Sequence, residues 1–276
     1  MASEDERVDF AIIGGGCMGA SIALAVQKSW HDAKIILFEG THTVTASKDI
    51  NKIVRTRYPD EDYVSFAERA KKVWEAKEPY CQHYHRCFWV QVIKEGSYRN
   101  EMKSPNDIEI SIDRLRHMVG SQEDPKLNPD EELWLNESVG YVDSDLTVEA
   151  VTEKAALQGV VREKKDVANL IVDSGVCQGV ELEDGSLVTA KTTIVAAGVW
   201  TPRLLEMSGV WVPDNFFTMA AVPVAILRLN DAEFDTLKTM PILVTENGII
   251  IHNFSLAGAD ISISQERLYL QRDIRF

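Results

Sequence analysis

Residues 8–19 read Val-Asp-Phe-Ala-Ile-Ile-Gly-Gly-Gly-Cys-Met-Gly, an apolar run that passes straight into G-x-G-x-x-G. Val8 to Ile13 is β-rich and almost continuously apolar, the pattern of a strand buried on both faces. Ala20 to Val26 is small and apolar and reads as a helix lying close on a sheet. Lys34 to Phe38 is a second apolar strand, and it ends on Glu39, 20 residues past Gly19. That spacing is the one expected of a dinucleotide-binding βαβ unit. Gly14 permits the tight turn, and Gly16 removes a side chain that would hold a pyrophosphate away from the helix N-terminus, where N–H groups and the dipole favour anions. Gly19 lets helix and strand approach. Cys17 and Met18 open the helix and complete the candidate cofactor contacts, with the Cys17 side chain expected to pack on the sheet. Glu39 can accept hydrogen bonds from adenosine ribose hydroxyls, and its charge repels a 2′-phosphate. The motif does not choose between a nicotinamide and a flavin dinucleotide. A Walker-type G-x-x-x-x-G-K is absent from the sequence.

The remaining composition is that of an ordinary folded chain. It has 276 residues, 45% apolar and 26% charged, and a net charge of −14. The length suggests about two domains. With 43 acids against 29 bases, nucleic acid and anionic membrane surfaces are not expected partners. No apolar run approaches the roughly 20 residues of a membrane span. Cysteines at 17, 81, 87 and 177 are too sparse for a disulfide framework. Reduced thiols in the cytoplasm are the expectation.

Residues 145–160 read as a helix stopped by Gly159. Val167–Val172, Val176–Leu182 and Leu187–Ala190 read as three short strands, with Asp173-Ser174-Gly175 and Asp184-Gly185 as hairpin turns. Thr193 to Ala197 is a further buried strand running into Gly198. A β-meander therefore interrupts the wound sheet, which a nicotinamide domain would not usually show. Tyr63, Phe66, Ala67, Ala70, Val73 and Trp74 form a helical stripe expected to be core. Residues 120–132 read as a solvated loop, and 216–251 as an antiparallel sheet. Cys81, His83, Cys87 and their neighbours on one extended strand would spread over ~20 Å, too far for one tetrahedral zinc, so no metal site is expected.

Ser47 to Tyr58 carries Lys48, Lys52, Arg55 and Arg57 inside an acidic chain. On a helical turn Lys52 and Arg55, three apart, would share a face; the alternative is a solvated basic helix end. Ser47 either caps that helix or bonds the cofactor. His42 with Asp49 suggests no nucleophilic relay.

On DFAIIGGGCMGASIAL with Glu39, on ASKDINKIVRTRY, and on the stretch from Leu146 through IVAAGVW, the chain resembles the flavin-dependent amine oxidases. That family includes monomeric sarcosine oxidase, pipecolate oxidase and the fungal fructosyl amino-acid and saccharopine oxidases. The resemblance implies an α/β fold. A Rossmann-like FAD-binding domain with the glycine motif and meander (1–80 and 145–212) would join an α+β, antiparallel-sheet substrate domain (81–144 and 213–276). It implies Lys52 against the flavin, where a cation favours hydride acceptance, and Arg55 on the substrate carboxylate. It places the Val167 main chain at the adenine, Ala197 and Gly198 beside the pyrophosphate or ribose, and Tyr58 in packing. The implied reaction is oxidation of a secondary amine or amino acid at its C–N bond, with O2 as acceptor and H2O2 as product, by a monomer. None of the four cysteines matches the family's flavin-linking cysteine, so FAD is expected to be non-covalent. The segment from Ser255 to Phe276 has no lysine and departs from the family pattern, and the chain is expected to be a C-terminally truncated member without a peroxisomal tripeptide. The alternatives are a catalytically impaired FAD-domain remnant and a NAD-dependent dehydrogenase.

Overall fold

In a computed structural model, residues 7–41, 45–47, 52–94, 107–120, 128–219, 224–228, 230–237, 239–244, 249–254 and 267–272 are described. His42, Lys48, Asp49 and much of the expected 120–132 loop lie outside them. The chain divides into two compact units. The first holds Met1–Lys52, Glu78–His83 and Asp143–Met219, the second Ile53–Lys77, Tyr84–Val142 and Ala220–Phe276. Residues 53–77, which the sequence reading ran together with 1–52, cluster with the second unit.

In the first unit, β1 (Val8–Ile13) pairs in parallel with β2 (Ile35–Phe38) on one side. Helix α1 (Cys17–Ser29) connects them, the crossover that a parallel pair requires. Beyond a second helix, Ser144–Leu157, strand Val161–Glu163 adds in parallel to β2. The meander follows as strands Val167–Asp173, Val176–Leu182 and Leu187–Val195, and a short helix, Thr201–Met207, closes the unit. The strand that the sequence suggested in two pieces, 187–190 and 193–197, is one. Its first residues pair antiparallel with the meander and its last pair parallel with β1.

β1 is apolar throughout because both faces are covered. Ile12 faces α1 and the 144–157 helix with Ala20, Ala23, Leu24, Val151 and Ala155. Ala11 and Ile13 face Val180, Leu182, Ala190 and Leu204 on the other side. Small residues at 20 and 23 let α1 lie close to the sheet, as the sequence suggested.

The elements of the second unit are β3 (Lys52–Val54), α2 (Glu61–Ala76), β4 (Tyr84–Lys94), β5 (Asp107–Ile110), α3 (Ile112–Val119) and β6 (Glu131–Val142). In chain order the first unit's second helix becomes α4, its later strands β7 (161–163), β8 (167–173), β9 (176–182) and β10 (187–195), and its last helix α5 (201–207). β11 (Val224–Arg228), α6 (Asp231–Leu237), β12 (Ile242–Val244), β13 (Ile249–Phe254) and β14 (Arg267–Arg272) complete the second unit. Its sheet runs β11-β14-β13-β12-β4-β6-β3, with β5 on β6. The pairs β4/β6, β5/β6, β12/β13, β13/β14 and β11/β14 are antiparallel. β12 runs parallel to β4, so the sheet is mixed where an antiparallel one was expected. Local alternation reports which face a residue takes but not which neighbour a strand chooses.

Two further expectations are corrected. Asp60 caps α2 by accepting from the amides of Asp62 and Tyr63 at 2.9 and 3.2 Å, yet the aromatic stripe is not core. Tyr63 and Phe66 are 62% and 61% exposed, and no α2 residue is buried; periodicity fixes a common face, not what covers it. The stretch 81–87 is not one strand either, since a 3₁₀ turn at Tyr80–His83 precedes β4.

Candidate cofactor site

The site is built where β1 ends. Gly14 has φ +107°, and a Cβ there would stand 2.4 Å from the Ala196 carbonyl oxygen. A Cβ on Gly19 would stand 1.8 Å from the Gly14 oxygen. Strand, turn and helix thus touch through backbone, and neither glycine tolerates a side chain. The turn is held by the Gly14 N–H on the Phe38 carbonyl (2.9 Å) and the Ala196 N–H on the Ile13 carbonyl (2.8 Å).

Gly16 is the N-cap of α1 and supplies no capping side chain. The first amides of any α-helix lack intrahelical acceptors. Here the Cys17 N–H donates to Ser47 Oγ at 3.0 Å, and the Met18 and Gly19 amides belong to the same turn. Ser47 is itself placed by Ser144, whose Oγ donates to the Ser47 carbonyl at 3.1 Å. Ser47 therefore caps α1 across the fold rather than a helix of its own segment. Cys17 and Met18 are exposed, so the Cys17 side chain does not pack on the sheet as expected. With no acidic residue in its first turn, α1 presents a neutral, glycine-lined, positive dipole end. Those residues fit a diphosphate.

Glu39 leaves the end of β2 with its amide on the Glu163 carbonyl at 2.8 Å. A Cβ on Gly15 would lie 2.4 Å from Glu39 Cγ, so the acid folds directly over the glycine turn. Arg162 of β7 takes both carboxylate oxygens, Nε to Oε1 at 2.6 Å and Nη2 to Oε2 at 3.1 Å. It also donates to Glu149 of α4 at 2.9 and 3.1 Å. The Glu39 bonds, then those to Glu149, push the Arg162 pKa further up, so it is charged at any working pH. Asp166 clamps the loop after Glu39 by accepting from the Thr41 amide at 2.9 Å and from its hydroxyl. Sequence reading missed Gly15, Arg162, Glu149 and Asp166. A lone arginine in VVREKK looks like surface charge, and nothing local marks its partner.

Val167 opens β8 beside Asp166, half-buried. Ala197 begins a 3₁₀ turn, and Gly198 has φ +55° with open space where a Cβ would stand. Gly14, Gly16, Cys17, Met18, Gly19, Glu39 and Ser47 are drawn together at one end of the parallel strands.

The segment holding Lys52 and Arg55 is not helical. Lys52–Val54 is β3, because Ile53 and Val54 are β-branched and the strand completes the second unit's sheet, so a helical shared face is not what relates the two bases. Lys52 is exposed. In the second unit, the Arg55 guanidinium lies 4.9 Å from the Tyr58 ring centroid and 5.8 Å from that of Trp89. These are cation–π distances, and the two rings hold the guanidinium between them. Arg57 is no member of a solvated basic patch: it is buried and paired with Asp107 at 3.1 Å.

A family model described as DAO, FAD dependent oxidoreductase, matches residues 9–252. The chain belongs to this family. A FAD-dependent oxidoreductase uses flavin, which removes the nicotinamide alternative. The chain is similar to L-saccharopine oxidase of Schizosaccharomyces pombe, 27% identical over 265 residues covering 84% of this chain and 59% of that protein. It is also similar to peroxisomal sarcosine oxidase of Homo sapiens, 27% identical over 228 residues covering 77% of this chain and 56% of that protein. Among solved structures, fructosyl amine: oxygen oxidoreductase (Amadoriase I) of Aspergillus fumigatus superposes with a TM-score of 0.77 at 16% identity. That superposition covers 99% of this chain and 64% of the other, and shows a shared fold. The chain thus spans less than two thirds of the length of the relatives it matches. Among its described residues no helix is long and apolar enough to cross a membrane.

Proposed function

We propose that the chain holds FAD without a covalent bond, the pyrophosphate over the amino end of α1 and the adenosine ribose on Glu39. We further propose that the holoprotein oxidises the C–N bond of a secondary amino acid. The observation that carries the cofactor placement is the backbone contact of Gly14, Gly19 and Ala196, which opens the first turn of α1 beside a strand-terminal acid. The substrate class rests on the matched relatives, whose names give saccharopine and sarcosine, both secondary amines. The name of a solved neighbour gives oxygen as its acceptor, which supports O2 and hence hydrogen peroxide.

FAD, when bound, supplies a two-electron acceptor for the hydrogen on the carbon beside the amine nitrogen. The chain's own part is to bind and orient. Arg55 would take the substrate carboxylate on its guanidinium, held against Tyr58 and Trp89. Lys52 would hold positive charge near the flavin, where negative charge develops. Ser47, Val167, Ala197 and Gly198 would line the dinucleotide, and the oxidised C=N product would hydrolyse in water. In this reading residues 1–80 and 145–212 serve the cofactor, and 81–144 and 213–276 the substrate. The working form is a monomer in the cytoplasm, although the matched sarcosine oxidases are named peroxisomal.

The test is a visible spectrum of the purified chain with added FAD, followed by anaerobic addition of sarcosine, pipecolate, saccharopine and fructosyl-valine. Bleaching of bound flavin by one of them supports the oxidase. Colour that survives all four leaves a binding unit without turnover. A colourless protein at saturating FAD overturns the cofactor assignment itself.

A further inference from the structure

We propose that Arg162 is the positioning residue of the ribose subsite: from β7 it fixes the Glu39 carboxylate across the glycine turn, so that the oxygens' outward lone pairs meet the 2′- and 3′-hydroxyls of the adenosine half. The proposal rests on the FAD placement given above and extends it to a residue outside the glycine motif.

Three observations converge on it. Arg162 commits four of its five N–H groups, two to Glu39 and two to Glu149. A guanidinium held at both ends is a rigid fork, and a carboxylate docked on it side-on has one orientation rather than many. The register is fixed beneath it, since Leu37 pairs with Arg162 and Phe38 with Glu163, and the Glu39 amide bonds the Glu163 carbonyl. On the other side Glu39 Cγ lies 2.4 Å from where a Cβ of Gly15 would stand, so the acid is held between a glycine and an arginine. Asp166 meanwhile holds the following loop through Thr41.

Stability is only part of what this arrangement provides. The trio is partly exposed, with side chains of Arg162 and Glu39 about one-fifth accessible and that of Glu149 about half. Isolated exposed ion pairs contribute little to folding, but a bidentate network such as this one contributes to stability as well. Orientation is another matter: a bidentate carboxylate still has lone pairs on both oxygens, and each ribose hydroxyl can donate to one of them. The trio's net charge stays at −1, so the site still disfavours a 2′-phosphate.

The experiment is calorimetric titration of the full chain, freed of flavin, with ADP and with 2′-deoxy-ADP. The unaltered chain should prefer ADP by roughly tenfold, the size of one hydrogen bond to a charged acceptor. Arg162→Met should weaken ADP and bring the ratio of the two affinities close to one. Glu39→Gln should do the same, and the double variant should lose nothing further. Arg162→Lys, which keeps charge but not the fork, should recover only part of the ratio, and Glu149→Gln, altered on an exposed helix face, should lower it partially. These last two keep the test open if Arg162→Met does not fold, as circular dichroism would show. A purely structural role moves melting temperature without moving the ratio. An unchanged ratio in folded Arg162→Met, or in both Arg162→Lys and Glu149→Gln, overturns the proposal. Failure of the unaltered chain to bind either ADP or FAD overturns the FAD placement, and this proposal with it.

Discussion

At the residue scale the glycine turn is intolerant because backbone meets backbone. Gly14→Ala adds a strained φ and a collision with the Ala196 carbonyl. The expected cost is about 2–4 kcal/mol, together with loss of bound flavin, read by urea denaturation and by flavin released on heating. Arg55 works by its shape as much as its charge. Arg55→Lys keeps the cation but gives up the guanidinium contacts with the Tyr58 and Trp89 rings and two-point contact with a carboxylate. A rise in KM of about 10–100-fold, larger than any change in kcat, is expected in steady-state assays of the holoprotein. Lys52→Met should leave flavin content unchanged while slowing the rate of anaerobic bleaching. Wild-type stopped-flow traces from that variant would remove Lys52 from the flavin's surroundings.

At the scale of elements, a buried polar knot ties together β4, β5 and β6 of the second unit's sheet. Arg57 pairs with Asp107 of β5 at 3.1 Å and donates to Gln91 of β4, while Asn136 of β6 donates to Asp107 at 2.7 Å. Arg57 and Asp107 are 6% and 1% exposed, so each needs the other. Removing one member strands a charge in the interior, and Arg57→Ala should destabilise the chain by about 3–5 kcal/mol. The apolar double variant Arg57→Met with Asp107→Leu should regain part of that in the same denaturation series, because desolvation of the pair is avoided while the buried Gln91 and Asn136 amides lose a partner. A double variant as unstable as Arg57→Ala would mean that packing, and not the unpaired charge, sets the loss.

For the molecule as a whole, the acid and alkaline limbs of stability rest on different groups. Burial pushes the Cys87 thiol from 9.0 up to about 12. Burial first, and then the Glu75 charge, moves the Tyr84 hydroxyl from 10.0 to about 12. Both groups sit on β4 and hold their protons more tightly folded than unfolded. Stability should therefore be level below about pH 9 and fall as pH rises from 9 to 12. Urea midpoints measured across that range should show the decline, and Cys87→Ala should delay its onset toward pH 10. On the acid side, Asp184 is held near 2 mainly by bonds from Ser186. It is exposed, so acid should act there with little consequence.

The chain order itself wrote the turn into the sequence: an apolar run, three glycines and a small-residue helix are contiguous, and their periods carry their meaning. The meander and the α4 helix were equally readable, since hairpin turns and a glycine stop are local signals. Cofactor choice came from resemblance and family membership. The tertiary structure alone decided the rest. Arg162 reaches Glu39 across 123 residues of sequence, Ser47 caps a helix 30 residues away, and Arg57 finds a buried acid on a strand it does not adjoin in the chain. Such pairings depend on strand order and register, which arise when nonlocal surfaces bury one another, and a charged side chain looks the same in sequence whether water or a carboxylate awaits it.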